Sequence, residues 1–211
     1  MAQPLVIVGA GGHGREVLDV VEAVNSRESA FRFLGFLDDD PDRQLLCRRG
    51  APWLGPLDRL AEIDAGYVIG IGAGRTRRRV DLSASASGRP PIRLVHPETS
   101  MGSQVALGPG VVVAAGARLT TNVRVGRHTH LNVNTSISHD CVVGDYVTLA
   151  PGAHVSGCVT LGDGVWVGTG ASIIQGVTIG ADAVIGAGAA VVTDIAAGVT
   201  AVGVPARPLR R

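Results

Sequence analysis

From Val105 onward an aliphatic residue recurs at every sixth position without a break. The series runs Leu107, Val113, Leu119, Val125, Leu131, Ile137, Val143, Leu149, Val155, Leu161, Val167, Ile173, Ile179, Ile185 and Val191, fifteen blocks with no insertion. The first position of each block is small or β-branched (Val105, Ala117, Thr129, Cys141, Ala153), and the fourth is often glycine (Gly108, Gly126, Gly144, Gly162). A period of six is neither the 3.6 of a helix nor the 2 of a strand. It is the period of a parallel β-helix built from hexapeptides. Each block gives one short strand and one tight corner. Three blocks close a triangular coil, and coils stack through parallel backbone hydrogen bonds at about 4.8 Å. The register predicts coils from about residue 99, with Met101 in third place, to about residue 194. Past Asp194, Ala197 and Gly203 fall where aliphatics are due, so an irregular tail is expected to cap the open end.

Composition agrees with this scaffold. The chain is 45% hydrophobic but only 3% aromatic, which suits a narrow bore that takes Val, Ile, Leu and Ala but few rings. A net charge of +1 gives no global attraction to nucleic acid or to an anionic membrane. The run Arg75, Arg77, Arg78, Arg79 reads as a solvated helix face, with a phosphate contact as the alternative. Cys47, Cys141 and Cys158 are far apart and form no disulfide or zinc pattern, so no metal is expected. No signal peptide or spanning segment is visible, and the expected location is the cytoplasm, with reduced thiols.

Residues 1–96 follow a different pattern. Leu5–Val8 is a buried-strand run that enters Gly9-Ala10-Gly11-Gly12-His13-Gly14, then a helical stretch with Val17, Leu18, Val21 and Val24 on one face. Apolar runs follow at Phe31–Leu37, Tyr67–Gly72 and Pro91–Val95, the first ending in Asp38-Asp39-Asp40. Strands alternating with helices predict a small Rossmann-like parallel α/β domain, with the β-helix domain and tail occupying 97–211. The glycines sit between strand and helix, where backbone amides can meet a phosphate. The domain is too short for the second half of a dinucleotide fold. A nucleoside-diphosphate ligand, a full NAD or FAD, and a purely structural turn all stay open. Asp38 or Asp39 can bond a ribose or base edge, or be ordinary polar strand ends.

In the solenoid, block 135–140 reads Thr-Ser-Ile-Ser-His-Asp, with Ile137 inward, so His139 and Asp140 fall on a corner and face out. A carboxylate beside an imidazole orients it and stabilises its protonated form. Eighteen residues on, one coil along, stands Gly157, whose unobstructed N–H can act as an oxyanion donor. A base and such a donor on one corner suit acyl transfer; a solvated surface histidine is the plain alternative.

Gly9–Gly14, Leu37-Asp38-Asp39, Ile71-Gly72, the segment 132–141 and Gly203-Val204-Pro205-Ala206 occur here in order. In this the chain resembles the NeuD/PglD-like sugar acyltransferases. The resemblance implies a left-handed hexapeptide β-helix, a homotrimer with active sites between adjacent solenoids, acetyl-CoA as donor, and a nucleotide-sugar acceptor held by the N-terminal domain. It implies His139 as general base, Asp140 as its orienting carboxylate, Gly157 as the amide that polarises the thioester and Asn132 as a sugar contact. It places the nucleotide at Gly9, Gly11, Gly12, His13, Gly14, Asp38 and Asp39. Thr148 stands where many members carry a second histidine near the thioester. Thr148 lies half a coil from His139, so the two can meet only across a subunit interface. Gly72-Ala73-Gly74 replaces an asparagine-containing loop that bears on base and sugar recognition.

The reading that follows is N-acetylation of a nucleotide-linked amino sugar. O-acetylation of a sugar hydroxyl uses the same site. A non-catalytic nucleotide-binding scaffold is the rival from another class, and intact His139 and Gly157 argue against it. A hexapeptide carbonic anhydrase needs three histidines on adjacent corners, and His128, His130 and His154 do not keep the register of His139.

Overall fold

The computed structural model describes residues 1–209, which divide into two compact units, Met1–Pro97 and Glu98 onward. In the first unit, β1 (Gln3–Val8), β2 (Phe31–Leu37), β3 (Trp53–Gly55) and β4 (Gly66–Ile69) form a fully parallel sheet in the order β3-β2-β1-β4. Helices α1 (Gly12–Arg27) and α2 (Arg43–Arg49) connect β1 to β2 and β2 to β3, a 3-10 helix (Leu57–Glu62) leads to β4, and α3 (Gly74–Ala86) follows it. Leu5, Val6 and Ile7 are fully buried, as expected for a central strand covered on both faces. Helix α1 buries Val17, Leu18, Val20, Val21 and Val24 on one stripe.

Two details depart from the sequence reading. Trp53–Gly55 is an edge strand that its three residues were too short to announce. The Pro91–Val95 run adds only a bridge from Pro91 to Tyr67 in this sheet, because proline has no N–H with which to extend the ladder.

The second unit is a parallel β-helix. Strands of two residues pair with strands eighteen residues away, as in Ser136–Ile137 with His154–Val155 and Arg118–Leu119, or Thr148–Leu149 with Trp166–Val167. Third-position residues from Val113 to Val191 are all buried, and first-position residues from Val111 to Ala189 are buried beside them. Each buried Val, Leu or Ile contributes about 1.5–3 kcal/mol of transfer free energy, set against the entropy of ordering the chain. Packing weakens at the N-terminal end: Leu107 is half-buried, and Met101 is 45% exposed although its strand pairs with Arg118–Leu119.

The corners have a rule of their own. Sixth-position residues sit in the left-handed region, with φ of +54° at Asn122, +59° at Asp140 and +56° at Cys158, and +67° at Gly152. Glycine, asparagine and aspartate tolerate this conformation best, and they dominate the position. Fourth-position glycines answer a different demand: a Cβ on Gly108 would lie 2.8 Å from the Arg127 amide of the next coil.

The repeat does not end at Asp194. Ile195 bridges Ile179, and Thr200–Ala201 pairs with Val184–Ile185, each sixteen residues on rather than eighteen. Two residues are dropped from one turn, so Ile195 and Ala201 point inward where Ala197 and Gly203 were expected, and both are buried. Beyond them Arg207–Pro208 pairs antiparallel with Ala201–Val202, which ends the sheet in a tail that follows the expected capping role.

Candidate active site

One corner of the solenoid gathers His139, Asp140, Gly157 and Asn122. The corner backbone fixes His139 and Asp140 outward, because Ile137 and Cys141 on either side are buried in the bore. Burial also pushes the Cys141 thiol above its ordinary pKa, which leaves it un-ionised and inert. Nδ1 of His139 lies 2.8 Å from Asp140 Oδ2. The carboxylate accepts, so Nδ1 carries the proton and Nε2 is left with its lone pair. The other oxygen, Asp140 Oδ1, accepts a 2.7 Å bond from Asn122 Nδ2 on the preceding coil. The bonds from Asn122 and then His139 hold the Asp140 carboxyl below its ordinary pKa.

The imidazole lies over Gly157. A Cβ at that residue would stand 2.5 Å from both Cε1 and Nε2 of His139, so glycine leaves the space the ring fills. On another corner, the equivalent amides of Arg127 and Asp145 are taken by the carboxylates of Asp145 and Asp163 on the next coil. One coil after Gly157 stands Gln175, and among the described residues the Gly157 N–H donates to no acceptor. Nε2 of His139 therefore lies beside residue 157, whose amide has no acceptor among the described residues. That pairing can accept a proton and stabilise a developing oxyanion together.

Two expected site residues are not brought to this corner. Asn132 belongs to a different corner, and its Nδ2 donates 2.8 Å to the Leu149 carbonyl. Thr148 lies on another face, between His130 and Trp166, and is buried within the single chain. His128 and His130 are fully buried, while His154 is exposed and bonded to Ser136 at 2.8 Å, so these three histidines do not converge. Among the described residues, the one group of three or more His, Cys, Asp or Glu with its donor atoms within 4.8 Å of one another is His139, Asp140 and Cys158. Asn122 was missed in the sequence, where it reads as a plain turn residue. The signal was its spacing of eighteen from Asp140.

In the first unit, the glycines divide by role. Gly9 has φ +98°, and a Cβ there would strike Ile71 at 2.7 Å. A Cβ on Gly14 would overlap the Gly9 carbonyl oxygen, so this glycine lets α1 pack against the loop. Gly11 and Gly12 face open space, with nothing within 4 Å of an added Cβ. They stand at the start of α1, where Gly11 caps with no side-chain bond. His13 is largely covered, and burial lowers its pKa below the ordinary value despite a 2.9 Å contact with Glu16.

The aspartates that follow β2 have backbone partners. Asp38 accepts from the Ala10 amide at 2.7 Å and from the Asp40 amide at 2.9 Å, tying the glycine loop to the end of β2. Asp39 accepts from Leu57 N at 3.1 Å. Beside them a cleft of about 410 Å³ runs from Gly9 past Asp38 and Asp39 to Thr76, Arg79 and Ser83. A larger hollow next to it, about 660 Å³, shares Asp39, Leu57 and Ser83 but touches no loop glycine, so its size carries no argument about the loop.

The arginine run is not a solvated face throughout. Arg77 is fully buried, and its Nη1 donates to the carbonyls of Ile71 and Gly72 at 2.7 and 2.8 Å. Sequence spacing could not show this, because those carbonyls reach α3 only in the folded domain. Arg79, by contrast, is exposed and lines the cleft. No helix among the described residues is long and apolar enough to cross a membrane.

Comparison with known proteins agrees with this division. Residues 4–81 match the PglD N-terminal domain, and residues 158–192 match the bacterial transferase hexapeptide repeat. GDP-perosamine N-acetyltransferase of Escherichia coli O157:H7 is 34% identical over 157 residues, covering 72% of this chain and 69% of that protein. The crystal structure of a histidine-to-asparagine variant of perosamine N-acetyltransferase from Caulobacter crescentus, in complex with CoA and GDP-perosamine, matches with a TM-score of 0.91 at 32% identity, covering 99% of this chain and 97% of that one. The acetyltransferase domain of PglB from Neisseria gonorrhoeae FA1090, with acetyl coenzyme A, matches at a TM-score of 0.78 and 30% identity, covering 99% and 100% of the two chains.

Proposed function

Since the chain belongs to the PglD-like, hexapeptide-repeat sugar N-acetyltransferases, we propose that it moves the acetyl group of acetyl-CoA onto the amine of a GDP-linked amino sugar of the perosamine type. The observation that carries this reading is the His139 imidazole seated over Gly157 and held by Asp140. His139 Nε2 takes the proton as the sugar amine attacks the thioester carbon. The Gly157 N–H stabilises the oxyanion of the tetrahedral intermediate. Collapse of that intermediate breaks the C–S bond, the protonated His139 returns its proton to the departing sulfur, and CoA leaves as its thiol with an amide formed on the sugar. Asp140 keeps the imidazole in the tautomer whose Nε2 is basic and offsets its charge once protonated.

The nucleotide is held in the first unit. Gly11 and Gly12 admit the diphosphate to the α1 N-terminus, and the cleft at Asp38, Asp39 and Arg79 takes the nucleoside end. Gly9 and Gly14 shape this loop without touching ligand, and His13 borders it. Asn132 and Thr148 enter only through an assembly of copies. Exposed Val142, Ile174 and Val192 on the solenoid supply apolar surface for such an assembly, and a homotrimer working in the cytoplasm is the form we assign. The test is acetyl transfer with a panel of GDP-, UDP- and dTDP-linked amino sugars, scored by mass of the product. Turnover restricted to GDP-linked acceptors is expected. Equal turnover of all three would remove the base preference.

A further inference from the structure

We infer that Asn122 is a positioning residue for acetyl transfer: its side-chain amide, one coil below the base, fixes the carboxylate that orients His139. The inference rests on His139 being the base. At this corner two hydrogen bonds link the Asn122 coil to the His139 coil, and the ring reaches over a third. Asn122 Nδ2 donates to Asp140 Oδ1 at 2.7 Å, Asp140 Oδ2 accepts from His139 Nδ1 at 2.8 Å, and the ring rests over Gly157.

Asp140 needs such a partner. Its side chain is half-exposed, so water competes for both oxygens and the carboxylate can rotate. A single bond to His139 leaves that rotation open. A second bond, to the other oxygen, sets the carboxylate plane and with it the direction from which Nδ1 is held. Asn122 is itself anchored, since its backbone N–H donates to the Ser103 carbonyl at 3.0 Å. The amide is also the largest cause of the lowered Asp140 pKa, which keeps this group a pure acceptor. A neutral amide does this without competing with the imidazole for the negative charge; a lysine in its place would.

The plain alternative is that asparagine stands here for its backbone. Residue 122 has φ +54°, which asparagine tolerates. The two accounts separate cleanly on substitution. Asn122→Gly keeps the left-handed corner, for which glycine is at least as well suited, and removes only the amide. If the turn alone matters, Asn122→Gly retains both Tm and kcat. We expect Tm to be retained and kcat to fall about tenfold, the scale of one hydrogen bond to a charged group, with acceptor KM unchanged.

Asn122→Asp is the second variant. It is isosteric, but as a carboxylate it faces Asp140 with like charge. One proton shared between the two restores a donor, now O–H to oxygen. The ratio of its kcat/KM to that of the wild type should therefore rise as pH falls. A purely structural role gives a ratio independent of pH. His139→Ala is run beside both. If it keeps full activity, the base assignment fails and takes this inference with it. If His139→Ala is inactive while Asn122→Gly turns over at the native rate and the Asn122→Asp ratio is flat, the base stands and the positioning role of Asn122 is overturned.

Discussion

Replacing Gly157 by alanine tests how tightly the corner is built. The new Cβ would lie 2.5 Å from His139 Cε1 and Nε2. Nonbonded carbon atoms rest at about 3.5–4.0 Å, so the imidazole must retreat by roughly 1 Å. The backbone does not resist the change, because Gly157 is outside the left-handed region, and the displaced group is the free end of a half-exposed side chain. Tm should therefore move little. Retreat stretches the 2.8 Å bond from Nδ1 to Asp140 toward the limit of a hydrogen bond and carries Nε2 off the line to the attacking amine. A misplacement of about 1 Å costs on the order of 100-fold in rate, and kcat should fall by that factor. The assay is steady-state release of CoA thiol, with acetyl-CoA affinity measured separately by calorimetry. A double-mutant cycle with His139→Ala isolates the cause. Once the imidazole is gone, Gly157→Ala should cost little more. Native kcat in a folded Gly157→Ala protein would refute the idea that the ring position is set by this contact. A full additional loss in the His139→Ala background would instead move the effect to the thioester.

Other outcomes follow from the same structure. Gly11→Val should raise acceptor KM and leave Tm alone, since its side chain enters open space where the diphosphate approaches, whereas Gly14→Ala should destabilise the first unit by striking the Gly9 carbonyl; steady-state kinetics and thermal melts distinguish them. Arg77→Ala should destabilise the first unit by about 2 kcal/mol in urea titration, because the part-buried carbonyls of Ile71 and Gly72 lose their charged donor. His13 folds with a lowered pKa, so folding excludes its proton: the native state has full stability above about pH 6.5 and loses some as pH falls through the window below it. His13→Gln should flatten the decline of Tm as pH falls below about 6.5, and an unchanged slope would place the titrating group elsewhere.

The solenoid was legible because its determinant is local and repeated. Each inward residue from Val113 to Val191 is named by position alone, and the structure buries every one. The His139 corner was legible for the same reason, since a fixed register says which side chains leave the bore and which residue lies one coil on. Failures occurred where a fact is set by folded context. The two-residue deletion before Ile195 broke the count while the coil continued, and Ala201 is too small to signal itself as inward. Burial of Arg77 depends on carbonyls delivered by the loop after β4, and no charge pattern encodes that. Asn122 carries no signal of its own in the sequence, and its partner is eighteen positions away. Thr148 was placed by resemblance, and its face apart from His139 is the one the register names, half a coil away.

The most direct test of the whole account combines acetyl-CoA and GDP-perosamine with the wild-type protein and with His139→Ala, following N-acetylated product by mass spectrometry and binding of each substrate by calorimetry. The wild type should form the amide and release one CoA per product. His139→Ala should bind both substrates with near-native affinity while its kcat falls by about 100- to 10,000-fold, the range expected for losing a general base. Near-native turnover by a folded His139→Ala protein, or no transfer by the wild type to any nucleotide-linked amine, would contradict the assignment of this corner as an acetyltransferase centre.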